Sequence, residues 1–155
     1  LMQNRNKEKD FKLILIGDGE CYNSVQEISS KNSMDDRIIL VGRVLYSSLR
    51  TYQELANVIV CPDKKHPYSD MVPHIKYFDS LVSGKIVING CFESVKEINK
   101  NESLSIDFEP SNILDLSQKL ETCIQNDKDY TEKFKNNKTL ICNSFTYDKF
   151  IENVK

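Results

Sequence analysis

The 155-residue sequence contains no apolar run approaching the roughly 20 residues that cross a bilayer. It has no excess of positive charge: 21 Lys and Arg stand against 23 Asp and Glu, a net −2. A nucleic-acid surface, which needs a basic patch, is therefore not expected. No Cys-x-x-Cys pair occurs among Cys21, Cys61, Cys91, Cys123 and Cys142, and His66 and His74 are the only histidines. A metal site needs clustered ligands, so none is expected. Scattered cysteines, odd in number, read mostly as small buried apolar residues in a reducing compartment, which makes the expected location cytoplasmic. The opening LMQNRNKEKD is polar and charged, unlike a secretory leader. No fixed-period repeat or low-complexity linker interrupts the chain, so residues 1–155 are expected to form one domain.

What is present, 39% hydrophobic and 28% charged, is an ordinary globular composition. Short apolar runs at 11–16 (FKLILI), 37–41 (RIILV), 57–61 (NVIVC) and 85–88 (KIVI) each end at glycine, proline or Asn-Gly. They are too short for independent helices and read as buried strands, with a weaker one at 103–108. Between them, helical spacing appears at 20–31, 47–56, 74–83 and 111–125, the last with Ser111 as a plausible N-cap. The polar tail 128–155, with spaced apolar residues, reads as packing helices. Strands alternating with helices, and apolar throughout, imply an α/β fold with a mostly parallel sheet covered on both faces. Ligands of such sheets bind beyond the strands' carboxyl ends.

The loops at those ends hold the candidate residues. The turn GDGE at 17–20 begins like a dinucleotide-binding loop, but Tyr22 stands where its third glycine would be, so Gly17 reads first as a tight turn. In VGRV at 41–44, Gly42 permits close approach by a flat ligand and Arg43 can pair with phosphate; a solvated arginine beside a turn explains the same residues. Pro73 suits entry to the helix of HIKYFDSLVSGK, whose first amides would be free for an anion, with Lys76 adding charge. Most helix starts bind only water, and His74 there can be an ordinary surface residue. Asp79 follows about one turn later, roughly 40° from Ile75 around the helix, on the expected shoulder of the buried face. A carboxylate there repels phosphate but can accept hydrogen bonds from two vicinal ribose hydroxyls. An amide-rich helix start followed by an acid is thus the pattern for a nucleoside diphosphate.

In order and spacing, these stretches resemble the carboxy-terminal, donor-binding half of a GT-B glycosyltransferase, most like glycosyltransferase family four. FKLILIGDGE is similar to the family's second strand and turn, DRIILVGRV to its third strand, and ELANVIVCPDK to its hydrophobic strand ending in Pro-Ser. IKYFDSLVSGKIVI is similar to its K-x-x-E-x-x-A-x-G-K-P-V-V helix and strand, and NSFTYDKFIENV to its closing helix, with Tyr147 for tryptophan. The resemblance implies a Rossmann-like three-layer α/β/α fold and transfer of a sugar from a nucleotide donor to a hydroxyl, without metal or other cofactor. It places Asp79 on the ribose-binding glutamate and His74, Ile75 and Lys76 on the first turn that cradles the phosphates. Gly42, Arg43 and Val44 fall on the loop framing the nucleobase, with Gly17 closing the preceding strand.

Several positions depart from the family pattern. Asp79 is one methylene shorter than glutamate, Met71 stands at the first glutamate of the paired-acid motif with Asp70 adjacent but out of register, and Ile86 replaces a proline. Nothing before Phe11 resembles the family's first strand, whose Arg and Lys hold the diphosphate. The resemblance thus implies that this strand and the amino-terminal acceptor domain are missing, the latter being an expected partner. The alternatives are a nucleotide-sugar epimerase of the same architecture and a non-catalytic α/β binding module. Lys, Asn and Ile are plentiful and Ala56 is the sole alanine, as in an AT-rich microbe, where cell-surface polysaccharide assembly is the expected setting.

Overall fold

A computed structural model describes residues 11–100 and 103–145. The opening residues 1–10 and the closing stretch with Tyr147 lie outside the described residues. The chain divides into two compact units, Leu1–Arg50 and Thr51–Lys155.

In the first unit, β1 (Leu13–Ile16) leads through α1 (Tyr22–Lys31) to β2 (Ile38–Gly42). The two strands pair in parallel from Leu13 opposite Ile38 to Leu15 opposite Leu40, and the register slips by one before Ile16 meets Gly42. Parallel pairing follows from the crossover helix, since a tight turn can join only antiparallel strands. The runs at 11–16 and 37–41 were expected to be buried, yet Leu13, Ile14, Ile16 and Ile39 are exposed. Helix α1 fully buries only Ser29, with Tyr22 and Val25 half-buried and Ile28 exposed, so it covers the strands incompletely. Helix α2 (Tyr46–Leu55) follows.

The second unit carries β3 (Val58–Cys61), α3 (Pro67–Met71), α4 (Ile75–Val82), β4 (Ile86–Gly90), α5 (Glu93–Lys96) and β5 (Ile106–Phe108). Three helices follow, α6 (Ile113–Gln125), α7 (Asp127–Phe134) and α8 (Asn137–Ser144). The strands form a parallel sheet in the order β3-β4-β5, with Val58 opposite Ile86 and Ile88 opposite Ile106. Central β4 is buried along its whole length. Strand side chains alternate between faces, and the cores record it. Val87 joins Tyr77, Leu81 and Ile141, whereas Ile86 and Ile88 join Ile106, Cys123 and Phe134 on the other side. Helices α4 and α8 thus cover one face and α6 and α7 the other, the expected three layers of an α/β/α fold.

Four details differ from the sequence reading. Helix α6 is capped by Asn112, whose side chain accepts the Asp115 N–H at 3.0 Å, and not by Ser111, which sits at φ 68°. The stretch at 62–74 contains α3, begun by His66 and Pro67, and α5 follows β4; neither was expected. Of the cysteines, only Cys61 and Cys123 are buried; Cys21, at the N-cap position of α1, and Cys142, on α8, are exposed. Finally, Gly84, at φ 71°, ends α4 by donating its N–H to Leu81 O, a left-handed stop that glycine adopts without strain.

Candidate functional site

In the first unit, Gly17 and Gly42 meet at the carboxyl ends of β1 and β2, where the Gly17 N–H donates to Gly42 O at 2.8 Å. Both have positive φ, 140° and 75°, and a methyl added to either would touch nothing within 4 Å. The two glycines therefore shape an open turn, and its left-handed backbone is what requires them. Arg43 is well exposed, with Asp18 3.9 Å from its guanidinium. A surface pair at that distance holds the arginine only loosely. Val44 is half-buried.

In the second unit, the start of α4 carries a connected group of side chains. Asp63, on the segment after β3, has a carboxylate only 17% exposed; it lies 2.5 Å from Lys76 Nζ and 3.1 Å from His74 Nδ1. His74 Nε2 in turn meets Ser69 Oγ at 3.2 Å. His74 occupies the N-cap position of α4 but makes no capping hydrogen bond, because both ring nitrogens are committed to Asp63 and Ser69. The Tyr77 N–H donates to His74 O at 3.0 Å, and the Ile75 and Lys76 amides before it receive no side-chain cap, an arrangement that favours an anion.

Hydroxyl, imidazole and carboxylate in a row invite comparison with a nucleophilic relay. Ser69 is only 4% exposed, and its N–H already donates to His66 O. A reacting hydroxyl needs access and nearby oxyanion donors, so this row anchors α3 to α4 and does not attack a substrate.

Asp79 is half-buried on α4. The buried residues of the helix are Tyr77, Ser80 and Leu81, whereas Ile75 is 77% exposed. At about 100° per residue, Asp79 therefore shares the outward side with Ile75 and does not flank a buried stripe. Met71, at the position of the missing acid, is exposed, and neighbouring Asp70 accepts the Glu93 N–H at 3.3 Å. That carboxylate is turned to the start of α5.

A cavity of about 480 Å³ opens at the carboxyl ends of β4 and β5, lined by Lys65, Asp70, Glu93, Lys96, Asp107 and Glu109 among others. Acids outnumber lysines there, which disfavours a diphosphate, and neither Lys76 nor Asp79 lines it. Burial raises the Cys61 thiol, next to Ser80 Oγ at 3.7 Å, above its usual range, so it is no ready nucleophile. Among the described residues no group of three or more His, Cys, Asp or Glu is placed to hold a metal, and no helix is long and apolar enough to cross a membrane. Sequence reasoning placed His74 and Lys76 but missed Asp63 and Ser69, whose only signal was a polar stretch rich in Lys and Pro.

No protein-family description matches the chain, and no curated protein does. Solved structures do, glycosyltransferases among them. A glycosyltransferase from Rickettsia africae is 17% identical with a TM-score of 0.76, over 96% of this chain and 39% of its own. The C-terminal domain of a glycosyl transferase group 1 family protein from Francisella tularensis is 17% identical with a TM-score of 0.75, over 91% of this chain and 73% of its own. The Anabaena protein HepE, solved in complex with UDP, is 13% identical with a TM-score of 0.69, over 93% of this chain and 39% of its own. The chain thus has a glycosyltransferase-like α/β fold and spans about two fifths of the longer structures it matches.

Proposed function

We propose that this chain is the donor-binding half of a glycosyltransferase of family four type, taking a nucleoside-diphosphate sugar whose glycosyl group passes to a hydroxyl acceptor. One observation carries the reading: the fold matches an isolated C-terminal domain of a glycosyl transferase group 1 family protein across 91% of the chain. A neighbour of the same fold holding UDP supports a nucleotide as the ligand class. The roles follow the local chemistry. The first turn of α4, with Ile75 amide and Lys76, takes the diphosphate, and Asp79 accepts the ribose hydroxyls. The acceptor is held by a further domain, since a transferase of this architecture closes two domains around its reactants. Cytoplasmic polysaccharide assembly is the proposed setting, and no metal or cofactor is invoked. This chain by itself binds donor but turns over poorly.

Titration with UDP, GDP and ADP by calorimetry tests the reading. At least one should bind, and Asp79→Ala should weaken it by about 1–3 kcal/mol, the cost of losing a charge-assisted acceptor. Unchanged affinity in that variant removes Asp79 from the site. Failure of all three nucleotides, with the protein at its full natural length, favours a non-catalytic α/β module. An epimerase would instead interconvert a free nucleotide sugar without acceptor.

A further inference from the structure

The Lys76 ammonium is engaged before any phosphate arrives. Asp63 approaches it at 2.5 Å and holds His74 Nδ1 at 3.1 Å with the other carboxylate oxygen. With the imidazole neutral, the three side chains sum to zero charge, so an incoming diphosphate meets no net attraction from them. We infer that Asp63 is a positioning residue whose carboxylate competes with the donor's phosphates for Lys76 and so sets how tightly this end of α4 binds them. The inference rests on the donor-binding reading above.

The two partners of Asp63 differ in freedom. His74 is clamped at both ring nitrogens, by Asp63 and by Ser69, and stays with α3. Lys76 has a side chain 52% exposed on a flexible stem and can swing from carboxylate to phosphate. Asp63 cannot follow it, being largely enclosed and tied to the ring. The largely enclosed acid therefore remains near the anion and opposes it, which keeps binding reversible. Reversibility matters for a transferase, because the diphosphate is also the leaving group that must depart.

Asp63→Asn keeps an acceptor oxygen for His74 and removes the charge, turning the group from neutral to singly positive. In the protein at its full natural length, UDP, GDP and ADP would be titrated beside uridine, guanosine and adenosine. The diphosphate that binds the wild type should bind Asp63→Asn about fivefold more tightly at low salt, the gain shrinking as salt screens the charge. The nucleoside should be unaffected, Asp63→Glu should show no gain, and Lys76→Met in the Asp63→Asn background should abolish it. A purely structural Asp63 would weaken nucleoside and diphosphate together, a result that overturns the inference, as does equal or weaker diphosphate binding by Asp63→Asn. Thermal melting checks that each variant is folded, and Asp63→Ser replaces Asp63→Asn if the amide melts below the assay temperature. Wild-type protein that binds none of the three diphosphates would overturn the donor reading itself, and this inference with it.

Discussion

At the scale of residues, the second unit is organised around one buried polar group that the sequence did not advertise. Asn99 donates to Ser105 O and to Asp107 Oδ1 and accepts the N–H groups of Leu104 and Ser105. Asn137 donates to Leu104 O at 2.6 Å, which ties α8 to the same segment. Ser105 Oγ spends its single proton on Asp107, so at 3.0 Å the Tyr77 hydroxyl is the donor to Ser105. Burial raises the Tyr77 phenol well above its ordinary value of 10.0, and nearby Asp107 adds to the shift. The sign for stability follows from linkage. Below pH 10 the phenol is neutral in both folded and unfolded chain; above it the unfolded chain loses the proton first, so folding weakens as pH rises. The expected fall approaches about 1.4 kcal/mol per pH unit. Tyr77→Phe should be less stable at neutral pH, having lost the bond to Ser105, but should show a flatter decline above pH 10 in urea titrations. A decline as steep as that of the wild type would mean that Tyr77 is not the group responsible.

At the scale of elements, helix ends decide what each segment can present. Helix α4 begins at His74 and stops at Gly84, and its cap residue is drawn aside by Asp63 and Ser69. Helix α6 is the contrasting case, closed at its start by the Asn112 side chain and by Asp115, which accepts the Glu109 N–H at 2.6 Å. Asn112→Ala should cost about 1 kcal/mol, read as a shift in denaturant midpoint. Ser111→Ala should cost less, because that hydroxyl only accepts an exposed 3.3 Å bond from the Lys65 N–H. Equal losses would return the capping role to Ser111. The sequence pattern pointed to Ser111, and the backbone gave the role to Asn112: a residue at φ 68° cannot hold the extended conformation of an N-cap.

At the scale of the whole molecule, the two units bury their strands unequally. In Thr51–Lys155 the central strand is covered on both faces. In Leu1–Arg50, β1 pairs with β2 alone among the described residues and exposes Leu13, Ile14 and Ile16. An apolar strand with an unpaired edge is a template for association. With this chain by itself, Ile14→Lys should therefore lower self-association in sedimentation experiments at fixed concentration; no change would mean that the β1 edge is not what makes copies adhere. The proposed enzyme places this strand inside a longer protein, consistent with the larger size of the matched structures.

Some of this was determined by the sequence alone. Apolar runs of four to six residues between amphipathic stretches leave few ways to hide backbone amides, and a parallel α/β arrangement is the one that follows. All five strands lie within two or three residues of their expected bounds, since glycine, proline and Asn-Gly mark their ends wherever they fold. His74 and Lys76 were legible as a helix start for the same reason: Pro73 and the following periodicity are local signals. Tertiary structure alone decided which side of α4 is buried, because Ile75 is as apolar as Leu81 and only packing against α8 and β3 distinguishes them. It also decided the charge at the start of that helix. Asp63 lies thirteen residues before Lys76, and no periodicity links them; a loop and a short helix must fold back before the carboxylate can find the ammonium. Local patterns specify elements, whereas a site assembled from separate segments depends on how the chain returns upon itself.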